Sequence, residues 1–189
     1  PYRVLLFVYI TETRRTIIED VRCKGNTVLE DRDLAAVMKN RKGKPLRTNV
    51  LLEDDLAAIK AVYAAAGYPA AQPGPVGISF RDGRALLEIA GTEGPKVTVS
   101  FSGTGTFCAQ QFPDLFHYDP DRGRSEAVLD EYCAEYFRDL LLIWSEHDVS
   151  DTVIESSAEK IRNTYRDLGF ADVKVDVKKT EAPGRLDLA

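Results

Sequence analysis

The sequence contains few of the residues that most often build a catalytic or metal site. It has two histidines, three cysteines and one tryptophan among 189 residues, and neither histidine has a cysteine or carboxylate at metal-ligand spacing. No apolar run approaches the ~18 residues that a membrane-spanning helix needs. With 25 basic against 30 acidic residues, the net charge of −5 offers no general attraction to nucleic acid. We therefore expect no metal, no cofactor, no nucleic-acid partner and no enzyme activity.

The glycines and tyrosines supply no catalytic motif either. The segment from Gly103 to Gly105 follows a predicted strand, but the third glycine of a dinucleotide fingerprint is missing, so we expect a turn. Tyr63 and Tyr165 share the apolar face of two predicted helices, which makes them packing residues.

The three cysteines are an odd and sparse set. Cys23 lies on a predicted strand and Cys133 on the apolar stripe of a predicted helix, and buried free thiols are one interpretation of both. A bridge between Cys108 and Cys133 is the alternative, and it requires an oxidising compartment. The sequence does not decide between them, because it does not establish the geometry that a disulfide needs.

Two helices with the same apolar pattern indicate that the chain contains a repeated module. One ends at Gly67-Tyr68 and the other at Gly169-Phe170. Their apolar residues are spaced alternately by four and three, which keeps one stripe of an α-helix against a core. The matched residues are Leu52, Leu56, Ile59, Tyr63 and Ala66 in one helix and Ile154, Ala158, Ile161, Tyr165 and Leu168 in the other.

Strand patterns surround both helices, so each module is predicted to read strand, helix, helix, strand, strand. Segments that alternate apolar and polar residues and stop at a glycine are typical of half-buried strands, and Asp82-Gly83 and Pro183-Gly184 predict hairpin turns. In the first module the predicted strands are 18–24, 76–80 and 85–89, and the helices are 33–38 and 52–66. In the second module the strands are 97–101, 173–177 and a last one that begins at Arg185, and the helices are 112–116 and 153–168.

The second module carries an insertion of about 24 residues near 118–142. Ser125 is a suitable N-cap, and the apolar residues after it form a broad helical stripe, so we expect an additional amphipathic helix. Two interpretations of this helix stay open, namely extra packing within the module or a surface for a partner. The stripe consists of Leu129, Tyr132, Cys133, Tyr136, Leu140 and Ile143.

The repeat divides the chain into three parts. Residues 15–94 form one module, and residues 95–189 form a second whose last strand is truncated. The segment 3–15 matches 84–96, so we interpret residues 1–14 as the last strand of a preceding module. On this interpretation the chain is part of a longer array of modules.

These features resemble the POTRA (polypeptide-transport-associated) domain. The resemblance is carried by two long helices of the pattern Ile-x-x-x-Tyr-x-x-x-Gly-Tyr/Phe, at 59–68 and 161–170, with strands before and after each. It covers nearly the whole chain, and the presence of parts of three modules favours the surface-antigen family of BamA-type outer-membrane assembly factors.

The resemblance implies an α+β fold and a function in protein transport. Each module would be a three-stranded mixed sheet of order 1-3-2 covered by two helices. The chain would be a non-catalytic periplasmic part of a Gram-negative outer-membrane protein. Its partners would be unfolded outer-membrane proteins, accessory assembly lipoproteins, neighbouring POTRA modules and a C-terminal membrane β-barrel. The alternatives are a two-partner secretion transporter and a cell-division envelope protein.

In a sheet of order 1-3-2 the second strand lies at an edge, where it can accept an extended guest by β-augmentation. We expect the first module to be the better acceptor, because no charge interrupts its strand, whereas Lys174 and Lys178 would defend the second. The alternative is that neighbouring modules or loops cover both edges. The predicted partner-binding residues are Val76, Gly77, Ile78, Ser79 and Phe80 in the first module and Val173, Lys174, Val175, Asp176 and Val177 in the second.

Overall fold

A computed structural model of the chain describes residues 7–12, 14–104, 107–108 and 126–189, with the backbone alone for 126–132. These residues form two sheets of three strands, one after the other along the chain. No helix in this part of the chain is long and apolar enough to span a membrane.

The first module has the predicted order of strand, helix, helix, strand, strand. Strand β1 is parallel to the central strand β3, and β2 is antiparallel to β3, which gives the mixed sheet β1-β3-β2. Its elements are β1 (Ile17–Lys24), α1 (Asp31–Val37), α2 (48–65), β2 (Gln72–Arg81) and β3 (Arg84–Thr92).

The second module repeats this topology with the sheet β4-β6-β5, in which β4 is parallel and β5 antiparallel to the central strand β6. The α+β fold and the strand order 1-3-2 are therefore confirmed. The elements are β4 (Lys96–Val99), α3 (Glu126–Leu140), α4 (Leu142–Glu146), α5 (Asp151–Asp167), β5 (Lys179–Ala182) and β6 (Arg185–Leu188).

Helix α2 contains a π-helical turn, Leu51–Asp55, that changes which residues face the core. A π-helical turn contains one residue more than an α-helical turn. It therefore changes which of the residues before it face the same side of the helix as the apolar residues after it. Leu51 is fully buried and Leu52 is 55% exposed, so the prediction that Leu52 faces the core was wrong. The buried positions of α2 instead recur every four residues, at Leu51, Asp55, Ile59 and Tyr63.

The π-helical turn also places a carboxylate inside the module. Asp55 is buried and accepts hydrogen bonds from the backbone N–H groups of Lys39 and Asn40, at 2.6 and 3.1 Å. The Asn40 side chain donates to Asp55 at 2.8 Å and exchanges two hydrogen bonds with the backbone of Arg47. This network fixes the loop of residues 39–47 between α1 and α2.

The predicted strand 173–177 was wrong. Residues 173–177 lie outside the sheet, and the antiparallel partner of β6 is β5, Lys179–Ala182. The turn at Pro183-Gly184 is correct, and the pairing that starts there ends with Lys178 opposite Ala189. Residues 173–177 pair with no strand in the described part of the chain, so their alternation alone does not make a strand.

The predicted inserted helix is present as α3, and Ile143 of its predicted stripe lies in α4. Cys133 and Phe137 are buried in the core of the second module, and Cys133 forms a disulfide with Cys108, with the Cα atoms 6.1 Å apart. The free-thiol interpretation of Cys133 was therefore wrong, whereas Cys23 is a half-buried free cysteine. Ser125 and the predicted helix 112–116 lie outside the described residues.

The two modules are joined at the end of α2. The N–H of Val97 in β4 donates to the carbonyl of Gly67 at 2.8 Å, and Gly67 has the positive φ of 94° typical of a helix-ending glycine. At the other end of the first module, residues 7–12 form no strand, and Phe7 and Tyr9 are largely exposed. The assignment of 1–14 to a preceding module stays a prediction.

Candidate peptide-binding edge

Strand β2 forms one border of the first sheet. It pairs along its length with β3 on one side. On its other side, no backbone hydrogen bond is made to any residue in the described part of the chain. Such a border has unused N–H and C=O groups that a second chain can bind.

The hairpin turn determines which backbone groups face outward. Asp82 and Gly83 both have positive φ, 50° and 73°, as in a two-residue type I′ turn. The residues that flank such a turn exchange hydrogen bonds, and bonded pairs then alternate with non-bonded pairs along the ladder. The backbone N–H and C=O groups of Arg81, Ser79 and Gly77 therefore point towards β3 and bond to it. The backbone N–H and C=O groups of Val76, Ile78 and Phe80 point away from the sheet.

The side chains on this edge leave it accessible. Val76 and Ile78 pack against the core of the module, whereas Phe80 is 67% exposed at the end of the strand near the turn. No charged residue occurs from Val76 to Phe80. Before Val76, two prolines and a register shift interrupt the strand, and proline has no N–H to offer a guest. We call Val76–Phe80 the open edge.

The opposite border of the sheet, β1, is covered along its first half by a loop of its own module. The N–H of Ile18 donates to Lys44 at 2.9 Å, and its carbonyl accepts from Gly43 at 2.8 Å. The N–H of Leu46 donates to the carbonyl of Thr16 at 2.9 Å, and farther along the Cys23 N–H donates to the Asp31 carboxylate at 3.4 Å. The first half of β1 is thus protected by the loop that the buried Asp55 holds in place.

The border strand of the second module is short and charged. Strand β5 has four residues, and its Lys179 forms ion pairs with Asp151 at 2.7 Å and with Glu181 at 2.8 Å. These hydrogen bonds raise the pKa of Lys179 above its ordinary value. Charged edge residues oppose pairing with other chains. The charged residues of the second edge are therefore Lys179 and Glu181, with Lys178 next to them, whereas the predicted Lys174 lies outside the sheet.

Sequence reasoning missed a carboxylate clamp between the end of β3 and the loop after β1. Glu93 accepts hydrogen bonds from the N–H groups of Thr27 and Val28, at 2.7 and 2.8 Å, from the Thr27 hydroxyl, and from the Tyr63 hydroxyl at 3.2 Å. Partial burial acts to raise the pKa of Glu93, but these hydrogen bonds outweigh it and hold the pKa below its usual value. The one hint of Glu93 in the sequence was that the pair Thr-Glu recurs at matching places of the repeat, at 11–12 and 92–93.

Two titratable groups near this clamp stay protonated at neutral pH. Burial, together with the charge of Asp31, raises the pKa of the Cys23 thiol to about 11. Burial and the neighbouring Glu93 raise the pKa of Tyr63. A thiol with a raised pKa is a poor nucleophile. Among the described residues, no group of three or more histidine, cysteine or acidic side chains is arranged to hold a metal ion.

Part of the chain matches a known family, and several solved structures align with it. Residues 16–90 match the POTRA family model, described as surface antigen variable number repeat. No match was found among curated proteins.

Three of the aligned structures are each 16% identical to the chain. For Haemophilus influenzae BamA POTRA3-5 the TM-score is 0.44, with 93% of this chain and 65% of that chain covered. For the N-terminal domain of Omp85 from Thermosynechococcus elongatus the TM-score is 0.34, with 92% of this chain and 64% of that chain covered. For CdiB from Escherichia coli the TM-score is 0.35, with 98% of this chain and 28% of that chain covered. The chain spans less than two thirds of the length of each of these three structures.

Proposed function

We propose, from the match of residues 16–90 to the POTRA family model, that the chain is a non-catalytic binding region of a BamA-type assembly factor for outer-membrane β-barrels. It receives unfolded outer-membrane proteins by β-augmentation. The observation that carries this proposal is the open edge, Val76–Phe80, in a sheet whose opposite border, β1, is covered along its first half. The second module binds such guests less well, because its border strand is short and charged.

The chemistry of the open edge suits this class of guest. Membrane β-strands alternate apolar and polar residues and differ widely in sequence. Backbone hydrogen bonds to Val76, Ile78 and Phe80 do not depend on the side chains of the guest, so one edge can receive many sequences. Binding of this kind requires no cofactor and no energy source.

The disulfide supports a location outside the cytoplasm. Structural disulfides persist in oxidising compartments such as the bacterial periplasm and are rare in the cytosol. The bridge between Cys108 and Cys133 lies in the core of the second module, where it joins two buried segments. We place the chain in the periplasm, beside accessory lipoproteins, neighbouring POTRA modules and a C-terminal β-barrel of the parent protein.

An NMR titration tests the proposed function. The ¹⁵N-labelled chain is titrated with a peptide copied from an outer-membrane β-strand. We expect the amide signals of Val76, Ile78 and Phe80 to shift most, and those of β5 and of Val173–Val177 to shift less. Larger shifts at Val173–Val177 would reject the assignment of the open edge.

A pair of variants tests whether the backbone carries the binding. Phe80→Pro removes an outward N–H without removing a hydrogen bond to β3, whereas Phe80→Ala keeps the N–H and removes only the exposed ring. A backbone hydrogen bond contributes about 1 kcal/mol, so we expect the proline variant to bind the peptide roughly fivefold more weakly than the alanine variant. Equal affinities for the two variants would show that the guest does not pair with this strand.

A further inference from the structure

The outer face of the first sheet carries basic residues at the end where the β2–β3 hairpin turns. Ile18 and Ala85 are buried, so their side chains mark the face of the sheet that packs on the core. Because side chains alternate along a strand, their neighbours Ile17 and Arg84 lie on the opposite, outer face. Arg81 pairs with Arg84 across the hairpin and therefore shares that face.

The loop that covers β1 brings two more arginines to the same place. Ile17 and Pro45 form an antiparallel bridge, so in this register Arg47 lies opposite Arg15. Arg15 comes two residues before Ile17 and shares its face. Neighbouring chain segments lie about 4.8 Å apart in a sheet, so four such residues span about 14 Å. The four residues, which we call the arginine row, are Arg47, Arg15, Arg84 and Arg81.

The arginine row has few acidic neighbours. Among the residues that the structure describes, three of its members form no ion pair, and the fourth, Arg81, is 3.9 Å from the carboxylate of Asp82. Farther along the same face, Asp20 and Glu88 are each paired with another basic residue, at 3.2 and 2.8 Å, and Glu19 is half-buried. The covering loop adds three exposed basic residues without an ion pair in the described part of the chain, namely Arg41, Lys42 and Lys44.

The charge of the other module limits how the chain can meet an anionic surface. Residues 95–189 contain 18 acidic and 11 basic residues. A negatively charged surface therefore repels the second module and attracts the first module at the arginine row. The chain would approach such a surface in one orientation.

The shape of the outer face favours a planar partner. The strand residues beside the arginine row are Gly77, Ser79 and the half-buried Leu86, and no large exposed apolar side chain of the described residues lies on this face. A protein partner usually needs an aromatic or apolar anchor at the centre of its interface. A bilayer instead presents many phosphates in one plane, and each arginine can bind a phosphate through two hydrogen bonds.

We propose that the arginine row docks the first module on a bilayer surface that contains anionic phospholipid headgroups. The guanidinium groups bind the headgroup phosphates, and the basic residues of the covering loop strengthen the attraction. The open edge stays free in this arrangement, because it is a lateral border of the sheet and the arginine row lies on the sheet's face. The inference does not depend on peptide capture, so a failed peptide titration would leave it intact.

Co-sedimentation with vesicles tests the proposal. The 189-residue chain is mixed at low ionic strength with vesicles of phosphatidylcholine, either pure or with about one third phosphatidylglycerol. We expect binding only to the vesicles that contain phosphatidylglycerol, and release as the salt concentration rises. Binding to both kinds of vesicle, or to neither, would overturn the proposal.

Two matched variants show whether the position of the charges matters. Replacing the arginine row by glutamine should weaken binding at least about tenfold, because each basic residue near an anionic surface adds to the attraction. A control that removes the same charge from the second module should bind no more than about threefold more weakly. Equal weakening by both variants would show that only net charge matters and would overturn the proposal. The first variant combines Arg15→Gln, Arg47→Gln, Arg81→Gln and Arg84→Gln, and the control combines Lys160→Gln, Arg166→Gln, Lys174→Gln and Lys178→Gln.

A spin-labelled lipid locates the contact in the unmodified chain, so this arm does not depend on how the variants fold. With a nitroxide on the headgroup, we expect the amide signals of residues 44–47 and 83–86 to broaden most and those of α5 to broaden least. Strongest broadening in the second module would overturn the proposal. Glycerol phosphate and a polyglutamate peptide are the competing sources of negative charge. Binding of either one at the arginine row as tightly as the vesicles would also overturn it.

Discussion

At the scale of single residues, two carboxylates hold the loops of the first module. Asp55 fixes the loop that protects β1, and Glu93 fixes the loop between β1 and α1. Neither role could be predicted from the sequence, because the hydrogen-bond partners of each carboxylate lie in other segments of the chain, which come together only in the folded protein. Thr27 and Glu93, for example, are 66 residues apart in the chain.

The clamp formed by Glu93 makes the first module sensitive to acid. The pKa of Glu93 in the folded protein is lower than in the unfolded chain, so its contribution to stability is fully present above the unfolded pKa, about 4.5. This contribution is lost as the pH falls below that value and through the folded pKa.

The variant Glu93→Gln tests this dependence. We expect it to lower the free energy of unfolding by about 1 kcal/mol at pH 7, because hydrogen bonds to a charged acceptor are replaced by weaker ones. The difference from the unmodified chain should shrink as the pH falls from 5 towards 3. Urea unfolding at several pH values measures it, with the exposed site Glu146→Gln as control. A difference that does not change with pH would contradict the clamp.

At the scale of helices and strands, the sequence predicted the kind and order of the elements better than their registers. The hairpin at Asp82-Gly83 and the helix-ending glycines were predictable, because turns and caps depend on local conformation. The sequence did not predict which residue at the start of α2 is buried, because the apolar pattern does not indicate the π-helical turn at Leu51–Asp55. The prediction of a strand at 173–177 was wrong for a different reason. A strand needs a neighbouring strand to pair with, and the alternation of apolar and polar residues does not show whether one is present.

A matched pair of substitutions tests the register of α2. Leu51→Ala removes a fully buried side chain and should cost about 2–4 kcal/mol of stability. Leu52→Ala changes an exposed side chain and should alter stability by less than about 0.5 kcal/mol. Denaturant unfolding of both variants gives the comparison. Equal losses would indicate a regular helix without the π-helical turn.

At the scale of the whole molecule, two similar sheets are stabilised differently. The first module relies on the Asp55 network and the Glu93 clamp, and the second contains the disulfide. The repeat made the two modules predictable, whereas the bridge stayed one of two interpretations. Its formation depends on bringing Cys108 beside Cys133, and their 25-residue separation in sequence does not determine that contact.

Removing the bridge should affect the second module alone. For a 25-residue loop, the chain-entropy relation gives a loss of about 3.5 kcal/mol in the double variant Cys108→Ala with Cys133→Ala. Hydrogen exchange resolves the modules, and we expect faster exchange in α5 with no change in α2. A reductant should reproduce this loss in the unmodified chain and add nothing to the double variant. Equal destabilisation of α2 and α5 would mean that the modules unfold as one unit.

The loop that covers β1 has a consequence for stoichiometry. Because the first half of that border already has backbone partners, at Ile18 and at the preceding Thr16, an added strand could pair only with its second half. The sheet therefore offers one long free flank, the open edge, and one short one. Copies of the chain are thus hindered from stacking into fibres through this sheet, and we expect one client to bind at the open edge at a time.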